Sequence, residues 1–251
     1  MFRNRYIYAL GITLLLIVIL MKSDFIEKIK YKFGIIENPI SGHGYYMWSQ
    51  SNYFQKKSQS MTSDPKIIFI GDSITNMLSV ETVFNAVNFG ISGDTVKRMK
   101  SVVKTYKNLE GKIIVLALGI NDIPRDSNEI FEDYKELIEN VPNTSTILIS
   151  SILPIDEKSF FEHWKTKKTN SQISEINEML HSYSLTKNNV FYSDTAILLR
   201  NTHNKQLRAD YHSGDGIHLN MNGYEQWIIG LKCGLKDIVD KNFVKEDCVK
   251  L

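Results

Sequence analysis

From Lys66 onward the chain alternates short apolar, β-branched runs with longer stretches of helical period. The runs read as strands at 66–70 (KIIFI), 86–89 (AVNF), 112–118 (KIIVLAL), 145–150 (STILIS) and 189–193 (NVFYS). The stretches read as helices over 75–84, 94–109, 127–140, 166–186 and 221–239. The strand runs are apolar without alternation, as expected of strands covered on both faces. Regular strand–helix alternation joined by right-handed crossovers gives a parallel sheet with helices on each side. The pattern therefore predicts an α/β fold: a three-layer α/β/α sandwich on a five-stranded parallel, flavodoxin-like sheet.

The ends of the chain read differently. Tyr6 to Met21 (YIYALGITLLLIVILM) pass without a charge, between Arg3 and Arg5 on one side and Lys22 on the other. A spanning helix needs about 17–25 apolar residues, and Lys22 can snorkel at one end. A secretory signal is the competing reading, but no small-x-small cleavage site follows. An uncleaved N-terminal transmembrane helix over 1–22 is the favoured reading, followed by an aromatic-rich lead-in over 23–63 and a globular domain over 64–251. The early arginines favour a cytoplasmic N-terminus, which makes the protein membrane-anchored and single-pass with its domain extracytoplasmic; Lys28, Lys30 and Lys32 weaken that bias.

Composition removes several classes. The 30 Lys and Arg against 28 Asp and Glu give a net charge of +2, too small to argue for a nucleic-acid partner. Lys165, Lys167 and Lys168 form the densest basic cluster, read as a solvated helix start. The two cysteines, Cys233 and Cys248, have no metal-ligand spacing, and no metal site is expected. An exported domain would permit a disulfide between them.

In open parallel sheets, chemistry collects beyond the carboxyl ends of the strands. The residues there are Gly71-Asp72-Ser73-Ile74-Thr75 after the first strand, Gly90 to Thr95 (GISGDT) after the second, and Gly119-Ile120-Asn121-Asp122 after the third. A fourth block, SGDGIHLNMNGY, places Asp215 three residues before His218. Each block taken alone is an adequate turn or helix cap. Together they supply a complete chemistry. A serine hydroxyl needs a base, the base needs a carboxylate to hold its tautomer, and the tetrahedral oxyanion needs preorganised donors. Ser73, His218 and Asp215 fit the three roles, with backbone amides of Ser73 and Gly93 and the Asn121 side chain as donors. Gly93, lacking a side chain, lets its amide approach a substrate closely. Ser73 at a helix start also gains from the helix dipole. Asp72 is read as structural and Asp122 as holding loops. His212 is expected at the rim or facing solvent, with His163, His181 and His203 on the surface. The stretch 153–165 (LPIDEKSFFEHWK), after the fourth strand, is expected as a rim that folds over the site. An α/β-hydrolase elbow is excluded, because Gly-x-Ser-x-Gly is absent around Ser73.

These four blocks resemble those of the SGNH, or GDSL, hydrolase superfamily. Ser73 stands in GDSIT, Gly93 in NFGISGDT, Asn121 in LGINDI, and Asp215 and His218 in DGIHLNMNGY, in the family's order over about 64–235. The second and third blocks are closest in wording to the branch similar to platelet-activating-factor acetylhydrolase subunits and bacterial carbohydrate acetylesterases. The resemblance implies a three-layer α/β/α fold, ester hydrolysis through an acyl-enzyme, and no cofactor. The expectation is a serine esterase acting on acyl, chiefly acetyl, esters of a carbohydrate or cell-surface glycan. The alternatives are an O-acyltransferase, a lysophospholipase or thioesterase, and a non-catalytic tethered binding module.

Overall fold

A computed structural model describes residues 43–239. The expected transmembrane helix over 1–22, the first part of the lead-in (23–42), and Cys248 lie outside the described residues. Among the described residues, no helix is long and apolar enough to cross a membrane. The chain divides into two compact units, Met1–Gln55 and Lys56–Leu251. Helix α1 (His43–Thr62) runs across that division. Its second part belongs to the larger unit: Lys56 Nζ donates to Asn88 O at 2.6 Å, and Ser60 Oγ accepts from Lys107 N at 2.9 Å.

The larger unit is built on five strands, β1 (Ile67–Gly71), β2 (Val87–Asn88), β3 (Ile113–Ala117), β4 (Thr146–Ser150) and β5 (Val190–Ser193). All neighbours pair in parallel, in the order β2-β1-β3-β4-β5. This is the doubly wound order expected, with its switch point between β1 and β3.

The alternation of side chains along a strand sorts the core into two layers. Phe69, Val115, Ala117 and Leu148 face one way, packing with Trp227, Leu231 and Leu235 of α8 (Met221–Val239). Ile68, Ile70, Ile114, Leu116, Ile147 and Ile149 face the other way and are almost wholly buried. Over that side run α4 (Val96–Val102), α5 (Ser127–Glu139) and α7 (Asn170–Ser184), with Met99, Ile130, Tyr134, Leu137, Ile176 and Leu180 in the core. Trp227 is 1% exposed, and its Nε1 donates to Thr195 Oγ1 at 3.2 Å. Trp227→Ala should lower stability by about 3–5 kcal/mol, read as an earlier urea midpoint at unchanged m-value.

Two expected helices are divided. The stretch 75–84 becomes α2 (Ser73–Asn76) and α3 (Val80–Phe84). Asn88 Nδ2 donates to both Thr75 O and Leu78 O at 2.8 Å, taking up carbonyls that a continuous helix would use. The stretch 94–109 forms α4 and then one 3₁₀ turn, Val103–Thr105. A further helix, α6 (Glu157–Trp164), occupies the stretch read as a rim. It starts because Asp156 caps it, accepting from Lys158 N and Ser159 N.

Candidate active site

The site lies at the carboxyl edge of the sheet, where the four sequence blocks converge. β1 ends at Gly71, where an added Cβ would stand 2.0 Å from Thr75 Oγ1 and 2.5 Å from Ala117 O. The missing side chain lets the chain turn at once into α2. Asp72 caps that helix, its Oδ1 accepting from Ile74 N at 3.0 Å, and Thr75 Oγ1 donates to Ala117 O of β3 at 3.1 Å. Ser73 is therefore held from both sides on a short, rigid turn. α2 is only four residues long, so the dipole expected to assist Ser73 is small, and local amides are the stronger influence.

Ser73 Oγ lies 2.9 Å from His218 Nε2, across 145 residues of sequence. His218 Nδ1 lies 2.5 Å from Asp215 Oδ2. The other carboxylate oxygen, Asp215 Oδ1, accepts from Ile217 N at 3.1 Å and His218 N at 2.9 Å. Burial opposes the charge on Asp215. The bonds from the His218 ring and from the Ile217 and His218 amides outweigh it and hold the carboxyl well below the usual carboxylate range. A depressed folded value gives a stabilisation present above the unfolded value of about 3.9 and lost only as pH falls through the depressed value. Asp215 is thus ionised at every pH where a histidine base would work.

The remaining expected donors come together through shared contacts. Asn121 Nδ2 donates to Asp94 O at 3.0 Å, joining the third block to the second. Asn76 Nδ2 donates to Ser92 Oγ at 3.2 Å, joining the first to the second. Gly93 takes φ +73°, a left-handed conformation that favours glycine, and its carbonyl accepts from Arg98 Nη2 at 2.6 Å. Asp122 is buried and gathers Val96 N at 2.8 Å, Lys97 N at 3.3 Å and Arg125 Nη1 at 3.0 Å. It ties the start of α4 to the Asn121 loop. Thr95 caps α4, accepting from Arg98 N at 3.2 Å, while Asp94 accepts from Thr95 N and Arg98 Nε.

Asp72 is 2% exposed, and burial raises its carboxyl to about 7 against the lowering effects of the Ile74 amide and of His218. A raised folded value makes this group's contribution most favourable below its unfolded value of about 3.9 and progressively less so as pH rises through about 7. Asp72→Asn keeps an acceptor for Ile74 N. It should flatten the fall in stability between about pH 4 and 7, measured by urea denaturation at pH 5 and pH 8 beside the parent.

Two residues, His212 and Lys168, stand elsewhere than the sequence reading put them, and Trp164 lies in the stretch expected as a rim. His212 is not on the rim but 8% exposed, locked into the loop that carries Asp215 and His218. Its Nδ1 accepts from Gly214 N and Gly216 N, which draws the ring inside the loop. Lys168 is half-buried rather than solvated: Nζ donates to Ile120 O at 2.6 Å and also to Ile123 O, and burial lowers its ammonium to about 8. Trp164, at the end of α6, has its ring centroid 6.1 Å from that of His218. The spacing of His212, Asp215 and His218 at intervals of three was the available signal for the first. For Trp164 and Lys168 no sequence signal separated them from their neighbours. Among the described residues, no group of three or more His, Cys, Asp or Glu side chains is placed to hold a metal ion.

A parallel sheet with a serine, a histidine and an aspartate in one hydrogen-bonded line at its carboxyl edge is the arrangement of serine-dependent acyl-transfer enzymes. The chain belongs to the GDSL-like lipase/acylhydrolase family, whose model matches residues 69–226. Among curated proteins, none matches the chain. Solved structures do. A Streptococcus pneumoniae protein described as a platelet activating factor is 22% identical, with TM-score 0.60 over 80% of this chain and 100% of its own. A GDSL-like lipase from Bacteroides thetaiotaomicron is 20% identical, with TM-score 0.63 over 75% and 99%. The catalytic domain of a Streptococcus pneumoniae peptidoglycan O-acetyltransferase is 15% identical, with TM-score 0.51 over 69% and 93%. At these identities the likeness is one of fold.

Proposed function

We propose that the protein is a serine esterase that removes acyl groups, chiefly acetyl, from a carbohydrate or cell-surface glycan. The observation that supports it most is the unbroken line from Ser73 Oγ through His218 to Asp215. With Asp215 ionised and accepting a hydrogen bond from the His218 Nδ1–H, His218 Nε2 is left as an acceptor for the Ser73 hydroxyl proton. Ser73 Oγ attacks the acyl carbon as His218 takes its proton. The tetrahedral oxyanion is met by the Ser73 and Gly93 amides and by the second N–H of Asn121, whose first is committed to Asp94 O. His218 then gives its proton to the leaving alcohol, and a water activated by His218 releases the acid. No step requires a metal or organic cofactor. The apolar segment 6–21 would hold the domain at a membrane with its site outside the cytoplasm, near surface glycans.

The test is labelling with a fluorophosphonate beside turnover of p-nitrophenyl acetate. Modification confined to the peptide containing Ser73, with loss of turnover in step, is the expected result. Label on another residue, or turnover untouched by full labelling of Ser73, would refute the reading.

The similarity to a peptidoglycan O-acetyltransferase domain favours one other reading. There a sugar hydroxyl, rather than water, accepts the acyl group from Ser73. Acylated glycan forming faster than free acid, when an oligosaccharide is added to the acyl-enzyme, would select it.

A further inference from the structure

The loop bearing Asp215 and His218 is organised around a second imidazole. His212 Nδ1 accepts from Gly214 N at 3.0 Å and from Gly216 N at 3.2 Å. These are the residues on either side of Asp215, and both glycines take positive φ, +101° and +79°. One ring atom thus holds the backbone on both flanks of the carboxylate. Nδ1 can accept two N–H groups only if it carries no proton, so the ring proton is on Nε2. That nitrogen stands 3.3 Å from Asp156 Oδ2.

Asp156 is itself fixed. It caps α6, takes the Ser159 hydroxyl at 2.9 Å, and donates its backbone N–H to Gly216 O at 2.9 Å. The loop lies flush on the first turn of α6: a Cβ on Gly216 would stand 2.4 Å from Phe160 N and 2.6 Å from Asp156 O. The loop closes on itself as well, with Ser213 N donating to His218 O at 2.8 Å and a bridge pairing His212 with Leu219. Among the described residues, the side chain of Asp215 has no comparable anchor beyond its own loop: its oxygens meet Ile217 N, His218 N, the His218 ring and Ser213 Oγ, all within three residues.

We propose that His212 is a positioning residue for the triad: its Nδ1 sets the backbone around Asp215, and through it the approach of Asp215 Oδ2 to His218 Nδ1. This rests on the reading of Asp215 and His218 as orienting carboxylate and base. The chemistry required of position 212 is a buried acceptor at the place of Nδ1. An asparagine Oδ1 falls near that place, a phenylalanine fills the volume without an acceptor, and a glutamine carries its amide to the place of Nε2.

The test compares the full-length parent with His212→Asn and His212→Phe in two readouts. One is kcat and KM on p-nitrophenyl acetate. The other is the strongly deshielded proton NMR resonance of the short bond between His218 Nδ1 and Asp215, assigned by its loss in His218→Gln. The expected result is that His212→Asn keeps kcat within about threefold and keeps the resonance. His212→Phe should lower kcat by roughly 10- to 100-fold at little-changed KM and shift or abolish the resonance. If His212→Phe does not fold, His212→Gln replaces it, since it also removes the Nδ1 acceptor. Full kcat and an unmoved resonance in a variant lacking the acceptor would overturn the proposal, as would an equal loss in the asparagine variant. A parent that hydrolyses no ester would refute the catalytic reading alone, and the resonance comparison would still decide the positioning role.

Discussion

Ser73→Ala is expected to lower kcat on p-nitrophenyl acetate by roughly 10⁴- to 10⁶-fold while leaving the fold intact. The size follows from the geometry. Ser73 Oγ is the atom 2.9 Å from His218 Nε2, so the substitution removes the proposed nucleophile and leaves the proposed base with nothing to deprotonate. Stability should barely change. The helix start is held by Asp72 Oδ1 on Ile74 N and by Thr75 Oγ1 on Ala117 O, neither of which needs the Ser73 hydroxyl. The residual rate should stand above that in water, because the proposed oxyanion donors of Gly93 and Asn121 survive. Parallel kinetics and thermal melts of the two proteins make the measurement. Turnover within a few-fold of the parent would remove Ser73 from its role.

Asp215→Asn is expected to cost about 10⁴-fold in kcat, through the histidine tautomer rather than through contact with substrate. The amide can still accept from Ile217 N and His218 N with its oxygen, so the loop should keep its course. Its nitrogen then faces His218 Nδ1. Two donors cannot share that contact, so the imidazole proton moves to Nε2, which becomes a donor to Ser73 Oγ instead of an acceptor. KM should change little, since the carboxylate is buried behind the imidazole. The deshielded His218 proton should vanish from the NMR spectrum, and a preserved resonance together with preserved kcat would count against the assignment. The charge removed is one that the His218 ring and two amides stabilise, so the variant should also lose stability at neutral pH.

The limits of the sequence reading can be placed on particular residues. Strands were legible because a strand buried on both faces must be apolar throughout, and KIIFI and KIIVLAL have no other economical use. The last helix was legible for a similar reason, and Met221–Val239 matches the expected 221–239. Helix interruptions were not. Nothing within 75–84 marks a break. The cause is Asn88, a residue on another element that claims Thr75 O and Leu78 O. The helix Glu157–Trp164 leaves little trace in the sequence because it is short and starts just after Pro154-Ile155, with its cap at Asp156 as the local sign.

Burial of polar side chains escaped in the same way. His212 and Lys168 have the composition of surface residues, and each is covered by contacts from segments distant in sequence: Asp156 for one, Ile120 and Ile123 for the other. The lysine cluster 165–168 divides accordingly. Lys165 ends α6 in a left-handed turn and is exposed, while Lys168 points inward with Nζ 5.8 Å from the Phe160 ring centroid.

The sequence by itself determined the parallel five-stranded sheet, because periodicity and strand–helix alternation are local properties that admit few topologies. It determined the candidate triad as a set of residue types, because a serine just after the first strand and an Asp-x-x-His pair just before the last helix have a shared chemistry. Only the tertiary structure decided that Ser73 and His218, separated by 145 positions, lie 2.9 Å apart, and that His212 stands within the triad loop rather than outside it. Contact between remote segments depends on how helices pack on the two faces of the sheet, and no pattern along a single stretch of chain encodes that distance.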